Sequence, residues 1–208
     1  MELKRRNDSL RSFFNEKADI YDGVHAELMD AKDALVDSVP SDAKRILDIG
    51  VGTGLELIGL FERIPDACVT GIDMCENMLA ILKKRRFADR VNIIQGDFFE
   101  VEFGVGYDAV ISSAALHHFA AEDKLRLYRK IFDSLRSGGM FINSDCIANT
   151  DDEEREALEA YRRADVSEHV DTPLARDKEE ALLREAGFEV VSVTDLANPL
   201  FKLIIARK

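Results

Sequence analysis

Arg45-Ile46-Leu47-Asp48-Ile49-Gly50-Val51-Gly52-Thr53-Gly54 joins a short apolar run, an acid and three alternating glycines. The amphipathic Leu55, Ile58, Leu60 and Phe61 follow at once. This pattern predicts a buried strand, a tight turn free of side chains, and a helix whose N-terminus faces whatever fills the turn. Bare backbone and free helix N–H groups suit a nucleotide-like ligand. The spacing narrows the choice. A dinucleotide fingerprint reads G-x-G-x-x-G/A, and its third position falls on Leu55; the third glycine is Gly54, one residue too early for a hydride-transferring dehydrogenase. No G-x-x-x-x-G-K-[ST] occurs, which excludes a phosphate-loop NTPase.

Two further strands carry acids at their ends. Ala67 to Ile72 is apolar and ends at Asp73, whose carboxylate can accept both hydroxyls of a ribose seated at the first turn. Val91 to Gln95 leads into Gly96-Asp97-Phe98, an acid for an adenine amino group and a ring for its face. Phe98 reads equally as ordinary core. The set fits an adenosine that carries something other than phosphates.

The series L-D-I-G-V-G-T-G, G-I-D-M, Q-G-D-F and Y-D-A-V-I-S-S-A-A-L-H-H-F resembles the class I S-adenosylmethionine-dependent methyltransferases over about residues 45 to 208. Phe14 to Asp22 also resembles the N-terminal helix that such enzymes fold over their cofactor. The resemblance implies S-adenosylmethionine as cofactor and S-adenosylhomocysteine as product. It implies that Gly50, Gly52 and Gly54 border the methionine moiety and that Asp48 lies near its ammonium. Asp73 would hold the ribose, Met74, Asp97 and Phe98 would surround adenine, and the Ser112 carbonyl would meet the ammonium. The helix after Asp73 often starts with a serine cap in this family; Cys75 stands there and caps poorly, so Asp73 or water is expected to support that helix start.

Residues 1–208 are expected to form one α/β domain of three layers, Rossmann-like, on a mostly parallel seven-stranded sheet. The family fold implies the order 3-2-1-4-5-7-6 with the last strand antiparallel. Residues 1–40 are expected to form a helical lid of two helices parted at Gly23. Leu10, Phe13, Phe14, Lys17 and Tyr21 share a face of the first, and Val24, His25, Leu28, Met29, Leu35 and Val36 a face of the second. The cofactor core spans 45–147, with strands at Tyr107 to Ser112 and Met140 to Asp145 and a helix from about Glu122 to Leu135 that stops at Ser137-Gly138-Gly139. A helical insertion spans 148–174, opened by the capping box Thr150-x-x-Glu153 with a solvated acidic first turn. Residues 175–208 give a helix ending at Gly187 and an antiparallel pair, Phe188 to Asp195 and Leu200 to Arg207.

No run of about 18 apolar residues exists, the N-terminus lacks the apolar stretch of a secretory signal, and the odd Cys68, Cys75 and Cys146 form no metal spacing. Cys68 is expected inside a buried strand. A cytoplasmic monomer or homodimer is expected. The formal charge of −12 weighs against nucleic acid, whose phosphates need clustered cations.

Methyl transfer is an in-line displacement that gains more from alignment and water exclusion than from acid–base groups. Where the acceptor must lose a proton, His117, just past the fourth strand, is the candidate base. Its neighbour His118 is expected to point away, so the two would share neither a metal nor a proton, and no metal is expected. Tyr21 reads either as a lid residue over the methyl or as core. Arg162 or Arg176, near His169, is the candidate for an acceptor carboxylate, against the plainer reading of surface pairs such as Glu159 with Arg162 or Arg163. The expected activity is methylation of a small molecule. The alternatives are a carboxy-S-adenosylmethionine synthase or other tRNA-modification enzyme, and a non-catalytic protein that binds S-adenosylmethionine.

Overall fold

The three apolar runs that end in Asp48-Ile49, Asp73 and Gln95 lie side by side in a computed structural model that describes residues 2–24, 29–165 and 171–208. They are β1 (Arg45–Ile49), β2 (Cys68–Asp73) and β3 (Val91–Gln95). β4 (Tyr107–Ser113) flanks β1 on the other side, followed by β5 (Leu135–Cys146), β7 (Phe201–Arg207) and β6 (Glu189–Asp195). The sheet order is β3-β2-β1-β4-β5-β7-β6, and β7 runs antiparallel to both its neighbours. The expected fold is present.

Strands in such a sheet are covered on both faces and so read as continuous apolar runs. Four of the five β1 residues are buried. Ile46, Leu57, Leu60 and Ile142 fill one face, Leu47, Tyr128, Phe141 and Ile204 the other. Each fully buried side chain of this kind contributes roughly 1.5–3 kcal/mol. The covering helices are α3 (Leu55–Arg63), α4 (Glu76–Leu82), α5 (Ala121–Ser134) and α7 (Arg176–Glu185). The chain order turns back between β1 and β4, so their C-terminal ends leave a crevice at the switch point.

Several details differ from expectation. α1 (Glu2–Val24) runs through Gly23, and α2 (Met29–Ser38) follows. Leu10, Leu35 and Val36 are buried, whereas His25, Leu28 and the Val24 side chain lie outside the described residues. Cys68 is exposed, because it begins β2 at a position facing solvent. β5 takes in Ser137-Gly138-Gly139, with the turn expected there reduced to a left-handed bend at Gly138 and a register shift against β4. In α6 (Asp151–Arg163), Thr150 Oγ1 accepts the Glu153 N–H at 3.1 Å, and Glu153 in return accepts from the Asn149 N–H at 2.7 Å. Its first turn is solvated except for Glu154, which is buried and accepts the Ala175 N–H and a Lys178 Nζ proton at the start of α7.

Candidate functional site

The glycine turn is held by the strand beside it. The Gly50 and Val51 N–H groups donate to the Ile72 carbonyl at 2.9 and 3.2 Å, and the Gly52 N–H donates to Asp73 Oδ2 at 2.9 Å. Asp73 Oδ1 accepts the Cys75 N–H at 2.7 Å, the support expected where Cys75 offers no side-chain cap. One carboxylate thus fixes the turn and starts α4, and each oxygen retains a second lone pair. Burial pushes the Asp73 pKa up against the pull of these N–H groups.

Gly50 has φ 82°, and a Cβ there would stand 2.6 Å from the Ala115 Cβ. The backbone opposite is also unusual: Ala114 holds φ 52°, a conformation that L-residues keep only where surroundings enforce it. Gly50, Gly52, Asp73, Met74, Phe98, Ala114 and Ala115 line the crevice floor. Leu10, Phe14 and Tyr21 of α1 cover it, with Cys75, Met78, His118 and Phe119 closing its sides. Gly54 is not among these residues. Its φ of 73° and the 2.6 Å from a would-be Cβ to Leu82 tie it to the packing of α3 on α4.

Beneath the floor is a buried ionic cluster. Lys32 Nζ donates to Glu56 Oε2 at 2.8 Å and Ser113 Oγ at 3.2 Å. Asp48 lies beside Glu56, and among the described residues neither Asp48 Oδ2 nor Glu56 Oε1 has a hydrogen-bond partner. Burial first, and the Glu56 charge second, raise the Asp48 pKa well above the ordinary range. Burial also pushes the Tyr21 phenol up to about 12, so it stays a neutral donor.

A family model described as "Methyltransferase domain" matches residues 46–139. The carboxy-S-adenosyl-L-methionine synthase of Nautilia profundicola is 26% identical over 74% of this chain and 73% of that protein. The malonyl-[acyl-carrier protein] O-methyltransferase of Acetivibrio thermocellus is 32% identical over 65% of this chain, which spans 48% of that protein. Among solved structures, PigF with SAH superposes with a TM-score of 0.72 at 22% identity, covering 89% of this chain and 56% of that one. The matched residues form a methyltransferase domain of the class I S-adenosylmethionine-dependent kind.

The methyltransferase fits its cofactor, S-adenosylmethionine, on the chain's own geometry. A Cβ-free cradle at Gly50 and Gly52 admits a ligand to backbone distance, Asp73 has acceptor capacity left, and the unpartnered Asp48 oxygen suits a cation. Asp97 sits at the end of β3, where Oδ2 accepts from Asn7 Nδ2 of α1 at 2.7 Å and Oδ1 from the Phe99 N–H at 2.9 Å. Phe98 is both crevice wall and core, edge-on to Phe119 at 6.1 Å. Ser112 is fully buried with its Oγ donated to the Ile49 carbonyl at 2.9 Å.

The acceptor-side candidates are placed less closely. His117 is buried outside the crevice lining, its Nδ1 against Asp145 Oδ1 and its Nε2 3.5 Å from Asp171 Oδ1. Burial disfavours the imidazolium, but the Asp145 charge and hydrogen bond, with Asp171, raise the His117 pKa overall. His118 lines the crevice instead, 5.3 Å from the Phe14 ring, with Nδ1 3.0 Å from Asp171 Oδ1. The two rings do not point apart. They stand 4.0 Å from each other, because Leu116–His118 is a 3-10 turn, in which successive side chains diverge by about 120° rather than the near-reversal of a strand. Arg162 is exposed, and Arg176 is engaged with Glu180 and the Val193 carbonyl; neither lines the crevice. Arg163 pairs with Glu159, and His169 lies outside the described residues. Sequence reasoning missed Lys32, Glu56, Asp145 and Asp171. Asp145 had a signal: it ends the strand next to β4, where acids at C-terminal strand ends gather around the crevice.

Proposed function

We propose that the chain transfers the methyl group of S-adenosylmethionine to a small-molecule acceptor. The observation that carries this reading is the narrow crevice whose floor is bare glycine backbone and whose roof is the apolar face of α1, Leu10, Phe14 and Tyr21. Such a crevice excludes water and aligns two reactants, which is most of what a displacement at a sulfonium carbon requires. Asp48 takes the ammonium, and the Ser112 carbonyl faces the same group. Asp73 takes the ribose hydroxyls. Met74, Phe98 and Asp97 bound the adenine, with Asn7 positioning Asp97. Tyr21, held neutral, closes the roof near the methyl. The acceptor enters between α1 and α6, on the side where His118 lines the crevice and His117 lies behind it.

The negative formal charge supports a small acceptor over a polynucleotide, and Arg162 is the cation to test for an acceptor carboxylate. A second reading is favoured by one observation: a carboxy-S-adenosyl-L-methionine synthase matches over 73% of its own length, whereas the malonyl-[acyl-carrier protein] O-methyltransferases match over 48–50% of theirs. Incubation with S-adenosylmethionine and, separately, pooled metabolites, tRNA and protein extract separates the readings. S-Adenosylhomocysteine forming with metabolites alone is expected. Formation only with tRNA would overturn the small-molecule acceptor, and a carboxylated cofactor by mass would establish the synthase.

A further inference from the structure

We infer that His117, His118 and Asp171 form a binding site for a divalent transition-metal cation at the acceptor side of the crevice, an inference that rests on the crevice being the methyl-transfer site. One donor atom from each side chain lies within 4.8 Å of the other two. Asp171 Oδ1 is 3.5 Å from His117 Nε2 and 3.0 Å from His118 Nδ1. Two ligands about 2.1 Å from one cation, at tetrahedral or octahedral angles, stand roughly 3.0–3.4 Å apart. The two Asp171 separations lie close to this range, and the histidine donor atoms are within 4.8 Å of each other. Two imidazoles and one carboxylate, with positions left open, suit Zn²⁺, Fe²⁺, Co²⁺ or Mn²⁺.

The surroundings are those of a built site. Asp145 is buried and accepts at His117 Nδ1, which leaves Nε2 as the outward donor; ligating histidines are commonly oriented by a carboxylate in this way. Asp145 is fixed in turn, its Oδ2 accepting the Leu116 N–H at 2.9 Å and its Oδ1 the Cys146 N–H at 2.9 Å. The His117 carbonyl accepts both the N–H and the Oγ1 proton of Thr172, at 2.7 and 3.0 Å, which anchors the residue after Asp171 to the histidine turn. Two carboxylates thus flank the imidazoles and supply negative charge for a cation. Asp171 keeps 46% of its side chain exposed, giving an ion a route in from solvent. His118 lines the crevice, so the open coordination positions face the acceptor. There the cation would bind an acceptor oxygen and make its proton easier to lose, with water taking the proton.

Co²⁺ titrated into the metal-stripped protein tests the site without S-adenosylmethionine or acceptor, so its failure registers separately from failure of methyl transfer. The expected result is one Co²⁺ per chain with visible d–d absorption, and binding at least about tenfold weaker in both His118→Ala and Asp171→Asn. Asp171→Asn changes a half-exposed side chain, and circular dichroism verifies that it remains folded. Absence of a stoichiometric d–d band, or equal affinity in folded Asp171→Asn, overturns the assignment.

Discussion

Gly50 and Gly54 share a left-handed backbone, yet a methyl group added at each meets a different neighbour. At Gly50 it meets Ala115 on the crevice wall, and at Gly54 it meets Leu82 between two helices, at 2.6 Å in both cases. Gly54→Ala should therefore cost about 2–5 kcal/mol of stability, the sum of left-handed strain and overpacking, while the folded protein keeps its affinity for S-adenosylmethionine. Gly50→Ala should weaken cofactor binding by tenfold or more. Urea unfolding and calorimetry separate the two, and equal affinity losses would show that Gly54 also borders the cofactor. Asp48 makes a sharper case. Burial and the Glu56 charge disfavour its ionised form, and an incoming ammonium favours it. Cofactor binding should therefore lower the Asp48 pKa and release protons at pH values between its free and bound pKa. Titration in buffers of different ionisation enthalpy measures the release, and Asp48→Asn should abolish it. No buffer dependence in the unaltered protein would place the ammonium elsewhere.

At the scale of elements, α1 is fastened to the cofactor domain along its whole length. Asn7 donates to Asp97, Asn15 accepts from the Asn77 N–H and Nδ2 at 3.0 Å each, and Asp22 accepts from Thr53 Oγ1 at 2.6 Å while pairing with Arg85. Arg85 Nε also donates to the Thr53 carbonyl at 3.1 Å, so one guanidinium joins the end of the roof to the glycine turn. The Arg85–Asp22 pair is partly exposed, which limits its worth. Arg85→Ala should raise the Kd for S-adenosylmethionine roughly three- to tenfold, about 0.7–1.4 kcal/mol, with faster hydrogen exchange in residues 10–24. Unchanged exchange there would mean that the apolar face alone holds the helix. The same contacts explain what the sequence could and could not convey. Glycine spacing and strand-end acids were enough for the Asp73 crevice, because they are local patterns, whereas the sheet order came only through the family resemblance. Gly23 costs only about 1 kcal/mol in a helix, and the contacts of Asp22 outweigh it. Asp145 and Asp171 meet the histidines across 28 and 53 residues, a juxtaposition with no period to read. Lys32 meets Glu56 across 24 residues, a burial that likewise has no local signal.

At the scale of the whole molecule, charge and ligand linkage decide the behaviour. The protein carries a formal −12, S-adenosylmethionine carries one net positive charge, and its demethylated product carries none. The long-range field therefore favours the substrate cofactor over the product, and salt screens that preference over about 8–10 Å. Raising ionic strength from 0.05 to 0.5 M, on the order of a threefold change in screening length, should weaken S-adenosylmethionine and leave S-adenosylhomocysteine nearly unchanged. Because the ligand binds only the folded chain, it also stabilises it, by about 2.7 kcal/mol at a hundredfold excess over Kd. For a chain of this size that is a Tm increase of roughly 5–11 °C. NADH at the same concentration should give none, since Leu55 stands where a dinucleotide loop needs a small residue. A thermal scan with each ligand at low and high salt reads both effects at once. Equal shifts from NADH and S-adenosylmethionine would mean that the glycine turn does not discriminate between cofactors. A salt response shared by S-adenosylmethionine and its product would mean that contacts in the crevice, and not the overall charge, set the preference.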